Sequence, residues 1–268
     1  MTTHDDYAGI HGVNFSTLKH FARSPADYKS AMAAHDDTPA MALGRLVHMR
    51  VFEPHTCADR LALWSGGRRA GAEWFEFQHD HVRKEIVRVQ DFDAAEAIAA
   101  AVRAHPTASI YLSAPGECEV VRQWTDPGTG LACKGRVDKI VGDTLIELKT
   151  CRGCGPRQMS AAMHALSYHA QLAWYLDGFG LDDCRVIAVE KVPPKSCRSP
   201  KVRVYRVRPA AIDSGRDLYR IWMDRLVQCR ATNQWPAWLP ADLEEDWLDL
   251  PPYAYDADDT WEMEDADG

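Results

Sequence analysis

The residues best placed to do chemistry lie in the run 134–150, KGRVDKIVGDTLIELKT. Side chains of a strand alternate between its two faces. Lys134, Arg136 and Asp138 therefore share one face of a first strand, and Glu147 and Lys149 share one face of a second, with Leu148 opposite. Gly142-Asp143 offers a tight turn between them, and a short hairpin brings Asp138 beside Glu147 with Lys149 one step along. Two carboxylates a few ångströms apart repel unless a cation lies between them, and hard divalent ions with oxygen ligands meet that need. Lys149 could then orient an attacking water or stabilise developing negative charge. Together these are the parts of metal-assisted phosphodiester hydrolysis. The competing interpretation is a surface hairpin with an incidental ion pair, and the D-x8-E-x-K spacing alone does not decide between them.

Two further groups bear on the choice. In the segment 161–176, His164, Tyr168, Gln171 and Tyr175 fall at helical spacing and form one polar and aromatic stripe. That stripe could pack near the hairpin and touch a nucleic-acid backbone. Earlier in the chain, Gly44-Arg45-Leu46-Val47-His48 places a histidine on a helix, where a satisfied structural role competes with a ligand role.

These residues need elements to position them. Ser16 is expected to cap a helix over 17–21 that ends near Ser24-Pro25. A second helix is expected over 40–52, stopping before Pro54. Residues 64–83, with Gly66-Gly67 and mixed charges, suggest a mobile excursion. Residues 93–104 carry Ile98 and Val102 in helical phase, and His105-Pro106 ends that helix. The pattern then changes to strands at 119–125, 131–141 and 144–150, followed by a helix over 161–176. Two more strands are expected at 185–192 and 201–207, joined by a Pro/Lys/Ser-rich loop. A helix opening at Pro209 carries Leu218, Ile221, Trp222 and Leu226 on one stripe.

The order is mixed α/β, with a long N-terminal helical part at about 1–115 and a core at about 116–232. A single domain over 1–240 would then be followed by a tail, 241–268.

Composition narrows the class. At 268 residues, 46% hydrophobic and 26% charged, the chain reads as a soluble globular protein, which excludes collagen-like, coiled-coil and wholly disordered readings. No run is apolar enough to span a membrane, and the N-terminus lacks the basic start and apolar core of a secretory signal, so a cytoplasmic location is expected. The net charge of −8 is unevenly placed: residues 241–268 hold 12 acidic and no basic residues, whereas 185–230 holds 12 basic against 4 acidic. A polyanion partner for the body fits that balance. The acidic tail is either a solubilising end or, through Trp247, Tyr253, Tyr255 and Trp261, a docking segment that covers the basic surface. Eight scattered cysteines do not suggest a disulfide framework. Cys151-x-x-Cys154 is half a zinc site at best, and nothing in the sequence brings His79-x-His81 to it.

Taken in order, Gly44–His48, Asp138, Glu147-x-Lys149 and Gln171-x-x-x-Tyr175 resemble the PD-(D/E)xK nucleases, specifically the RecE-type (exonuclease VIII-like) branch of phages and prophages. The likeness covers about 16–178 and extends more loosely to 230; Val137 replaces the proline before the aspartate. It implies a restriction-endonuclease-like core, a central mixed sheet flanked by helices. It also implies Asp138 and Glu147 as ligands of Mg²⁺ or Mn²⁺, with the Leu148 carbonyl, and His48 as a ligand or near neighbour. Lys149 would serve the nucleophilic water, and Gln171 and Tyr175 would brace the site or hold the DNA strand. Glu119 is a possible additional acidic residue, and Lys134 and Arg136 are candidate phosphate contacts. Some relatives hold an iron–sulfur cluster, but Cys184, Cys197 and Cys229 are too dispersed, so none is expected. The implied function is exodeoxyribonuclease action on double-stranded DNA ends, 5′→3′. It would supply single strands to an annealing recombinase in a bacterial host, as a homo-oligomer. A related CRISPR-adaptation or restriction-like endonuclease, or an inactive DNA-binding or anti-defence module, are the alternatives.

Overall fold

A computed structural model describes residues 4–33, 38–191 and 199–237. The acidic tail, Cys197 and most of the Pro/Lys/Ser-rich loop lie outside the described residues.

The N-terminal part begins with α1 (His4–Gly9), after which Val13 bridges Cys133. The next helix, α2 (Phe15–Leu18), is capped by Asn14 rather than Ser16: the Asn14 carboxamide oxygen accepts from Thr17 N at 2.9 Å. It continues as a 3₁₀ turn over Lys19–Ala22, and Ser24 caps α3 (Pro25–Ala33) by accepting from Asp27 N at 3.0 Å. Thr38 caps α4 (Pro39–Phe52), whose Pro39 sits where no N–H is needed. A short α5 (Cys57–Arg60) leads into β1 (Leu61–Trp64).

The expected mobile excursion instead contains α6 (Ala72–Asp80) and ends in β2 (Glu85–Arg88), which pairs parallel to β1. Aromatic packing overrides the glycines there, with the Trp64 ring 5.3 Å from Trp74 and 5.1 Å from Phe77. Next come α7 (Val89–Ala104), burying Ala95, Ile98, Ala99 and Val102, and α8 (Pro106–Ser113). His105-Pro106 both ends one helix and starts the other, because the His105 ring accepts from Ala108 N.

The main sheet holds β3 (Glu117–Thr125), β4 (Ala132–Val141), β5 (Thr144–Cys151), β6 (Asp183–Glu190) and β7 (Val202–Arg206), in that spatial order. Only β5 and β6 are parallel neighbours. A parallel pair needs a crossover, and here it runs through α9 (Pro156–Ala165) and α10 (Tyr168–Phe179).

The single helix expected over 161–176 is thus two. The break falls at Ser167, which adopts a left-handed conformation at φ 54°. The last helix, α11 (Pro209–Thr232), buries Trp222 and Leu226 and packs Leu218, but it leaves Ile221 exposed, so the expected stripe is narrower.

Helices cover both faces of the sheet. One core layer joins α2, α10 and α11 to residues such as Leu145 and Val186. The other joins α4 and α7 to Ile146, Leu148 and Ile187. This is a mixed α/β architecture with a central mixed sheet flanked by helices, as expected.

Candidate active site

The site opens where β4 and β5 part. Their pairing ends with Lys139 against Ile146, and Asp138 and Glu147 stand one step beyond. Asp138 spans the gap: its Oδ2 accepts from Leu148 N at 2.7 Å, and its Oδ1 lies 3.0 Å from Nδ1 of His48 on α4. Leu148 thus meets Asp138 through its amide.

On β5, Lys149 Nζ donates to Glu147 Oε1 at 2.7 Å and to Gln171 Oε1 at 2.6 Å, and it lies 4.6 Å from the centre of the Tyr168 ring. Gln171 Nε2 in turn donates to Tyr175 OH at 3.2 Å. Gly135 lets α10 approach this closely, since a Cβ there would stand 3.0 Å from Phe179 and 3.3 Å from Tyr175.

Glu119 completes the cluster from β3. In the β3–β4 ladder, Cys118 pairs with Lys139 and Val120 with Val137, which leaves Glu119 opposite Asp138. Its backbone is left-handed at φ 52°, a conformation that costs a non-glycine residue about 1–3 kcal/mol and concentrates at functional sites. One donor atom each from His48, Glu119 and Asp138 lie within 4.8 Å of one another, the one such group of His, Cys, Asp or Glu among the described residues.

The electrostatics are those of an over-supply of carboxylates. Burial and the Asp138 charge push Glu119 up to about 7 and Glu147 up to about 6. Burial would also raise Asp138, but the His48 ring and the Lys149 charge hold it below its ordinary value. Burial would lower His48 and Lys149, and neighbouring carboxylates outweigh it, so both stay in their charged forms more readily than usual. Glu147 Oε2 is buried with no hydrogen-bond partner. A buried carboxylate oxygen without a partner is costly. The hard oxygen-rich donor set around it suits a divalent cation. The residues present therefore fit a metal such as the resemblance implied, with His48, Glu119, Asp138 and the free oxygen of Glu147 as the available donors.

Other expected residues are placed differently. Lys134 is buried, and its ammonium donates to the carbonyls of Tyr7 at 2.9 Å and Ile10 at 2.6 Å, so it anchors the N-terminal segment and is not available to phosphate. Arg136 pairs with Glu119 at 3.1 Å. The Tyr7 ring lies beside both cations, a contact between distant segments that no local pattern signals. His164 leaves the stripe for α9 and stacks on His169. Cys154 faces Glu190 at 3.8 Å rather than a histidine, and His79 sits exposed beside Asp80. Cys184 and Cys229 are buried free thiols.

Residues 14–238 match a family described as a PDDEXK-like domain of unknown function (DUF3799). The chain belongs to this PDDEXK-like family. That places it among the PD-(D/E)xK nucleases, a superfamily of metal-dependent enzymes, as the motif order implied. No curated protein sequence matches the chain. Among solved structures, a candidate exonuclease from Eubacterium rectale superposes with a TM-score of 0.61 at 15% identity, over 94% of this chain and 96% of that one. The fold is therefore shared with that protein. A phage-related exonuclease from Haemophilus somnus 129PT matches at a TM-score of 0.37 and 9% identity, over 84% of this chain and 98% of that one. No helix among the described residues is long and apolar enough to cross a membrane.

Proposed function

We propose that this PDDEXK protein is a Mg²⁺- or Mn²⁺-dependent exodeoxyribonuclease of RecE type that digests double-stranded DNA from its ends. The observation that carries the reading is the buried, unpartnered Glu147 Oε2 beside the His48–Glu119–Asp138 group and Lys149. Most buried polar side-chain atoms have a partner, and a carboxylate oxygen left without one calls for a ligand.

A divalent ion, when bound by His48, Glu119, Asp138 and Glu147, would make bound water more acidic and offset charge on the phosphate. The chain's own residues do the rest. Lys149 has three N–H donors, and Glu147 and Gln171 take two of them. The remaining donor can hold a water or a phosphate oxygen. Its raised pKa keeps it cationic, so it acts by orientation and charge rather than as a base. Gln171 fixes Lys149 and is itself fixed by Tyr175, which keeps α10 registered on the site. Arg136, a half-buried cation beside Glu119, is the remaining candidate for phosphate contact from β4.

The finer features follow the family resemblance. They comprise one nuclease domain over 1–240, 5′→3′ polarity, assembly of several copies, and a phage or prophage role in a bacterial cytoplasm. In that role the single-stranded product would pass to an annealing recombinase.

The test is digestion of linear against covalently closed duplex DNA with Mg²⁺, with Asp138→Ala and Lys149→Ala alongside. Loss of linear DNA alone, abolished in both variants, is expected. Cutting of the closed circle would replace the exonuclease by an endonuclease, and no metal-dependent cleavage of either would leave a binding module.

A further inference from the structure

Beyond the catalytic cluster, a concavity lies past the carboxyl ends of the parallel strands β5 and β6. It encloses about 930 Å³ and is bordered by Arg152, Lys201 and Arg203, with Cys154 and Glu190 at its floor. All three cations are exposed, and among the described residues none of them is in an ion pair with a carboxylate. Arginines elsewhere on the surface, such as Arg103 with Glu96 and Arg216 with Asp177, do find one.

The lining includes one acidic group, Glu190. Glu190 is buried, its Oε1 accepts from the Cys154 thiol at 3.8 Å, and its Oε2 accepts from Lys201 N at 3.4 Å. It ties the loop after β5 to the start of β7. The Tyr205 hydroxyl adds a second tie by donating to the Cys154 carbonyl at 2.5 Å, and the Arg203 guanidinium rests beside the same ring, 5.8 Å from its centre. The cations are thus carried on a braced rim.

We infer that this concavity is a track for the phosphodiester backbone of the substrate strand, with Arg152, Lys201 and Arg203 as its phosphate contacts. The inference deepens the nuclease reading and rests on it. Position selects the occupant. Arg152 follows Lys149 by three residues, so at about 3.3 Å per residue of strand their Cα atoms lie about 10 Å apart. A strand held with its scissile phosphate at Lys149 and running toward this end of the sheet would meet the rim within a few nucleotides. The contacts come from two separate segments, the β5–α9 loop and the run 201–203 at the start of β7. Phosphate contacts of this kind position a strand without reading its sequence.

The experiment measures binding of the full chain to a fluorescent single-stranded oligonucleotide in EDTA, across a salt series, for wild type and for R152A/K201A/R203A. Cleavage of linear duplex by wild type with Mg²⁺ is run in parallel. Each neutralised phosphate contributes about 0.7 to the slope of log affinity against log salt on a single strand, so loss of three contacts should lower that slope by about two. Affinity at low salt should fall about tenfold or more. The charge-retaining R152K/K201R/R203K should keep the wild-type slope, and matching melting curves would exclude misfolding. If wild type binds and cleaves while the triple alanine variant keeps the full slope, the track is wrong and the nuclease reading stands. If wild type neither binds nor cleaves DNA, both fall.

Discussion

Asp126 and Glu147 are both buried carboxylates, and their surroundings differ in kind. Asp126, at the end of β3, accepts from Thr129 N at 2.8 Å and Thr129 Oγ1 at 2.7 Å on one oxygen, and from Arg220 on the other. Burial alone would raise it, but the Thr129 hydrogen bonds and the Arg220 charge hold it below the usual carboxylate range. Glu147 has Lys149 on one oxygen and nothing on the other, and burial with the Asp138 charge pushes it up to about 6. The first carboxylate is complete within the fold; the second is left short of a positive charge. On the proposed reading, the mark of the site among these carboxylates is the missing partner, more than burial or the presence of acidic groups.

The sharpest way to break that contrast is to neutralise each residue in turn. Glu147→Gln should lower metal-dependent DNA cleavage by about 10³-fold, in the range seen when one electrostatic contact to a developing charge is removed. It should leave the melting temperature of the metal-free protein unchanged or higher, because the amide carries no buried charge. If Glu147→Gln instead unfolded the protein and left the folded fraction fully active, the two carboxylates would be of one kind.

Asp126→Ala should do the reverse. It strands the Thr129 amide and hydroxyl and leaves Arg220 unpaired, and a loss of about 2–3 kcal/mol is expected once partial exposure of Arg220 is allowed for. Denaturant unfolding would show this as a lower midpoint, with cleavage by the folded fraction unchanged. A stability loss below about 0.5 kcal/mol, the scale of an ordinary surface change, would remove the distinction.

The same contrast has a pH signature. Glu147 and Glu119 rise from 4.5 to about 6 and about 7 on folding. A carboxyl group raised by folding stabilises the protein fully below its unfolded value and loses that contribution as pH climbs through the folded value. Metal-free protein should accordingly lose melting temperature between about pH 4.5 and 8 on account of this site. Asp126 is lowered, so its contribution is present above its ordinary value and disappears on acidification below it. Combining Glu119→Gln with Glu147→Gln should flatten the neutral side of the profile and leave the acid side in place. An unchanged profile would mean that the two carboxylates are not held protonated in the metal-free fold.

Much of this arrangement was legible in the sequence, and the exceptions share a cause. The hairpin that presents Asp138, Glu147 and Lys149 rests on alternation and a Gly-Asp turn, and α4 rests on two flanking prolines, so both are written locally. The break at Ser167 has no such marker, since a left-handed serine carries no proline or glycine to announce it. Lys134 shares a face with Asp138 on paper, but carbonyls from the N-terminal segment more than a hundred residues away take its ammonium. Glu119 was visible as an acidic residue on a strand, yet only the ladder register sets it opposite Asp138. Local chemistry is readable from spacing, whereas which groups are satisfied depends on distant segments.

The smallest effect tests the outermost link of the site. Tyr175 does not reach Lys149; it accepts a hydrogen bond from Gln171, which holds Lys149. Tyr175→Phe keeps the ring against Gly135 and removes only that acceptor, so the fold should persist and Gln171 should lose its fixed orientation. A hydrogen bond of this kind contributes about 1 kcal/mol, which corresponds to a drop of about five- to tenfold in cleavage with little change in DNA affinity. Gln171→Ala should cost more, because it frees Lys149 directly. If Tyr175→Phe proved as damaging as Gln171→Ala, the hydroxyl would have to touch the substrate itself, and the order of residues from Asp138 and Glu147 outward through Lys149 and Gln171 would need redrawing.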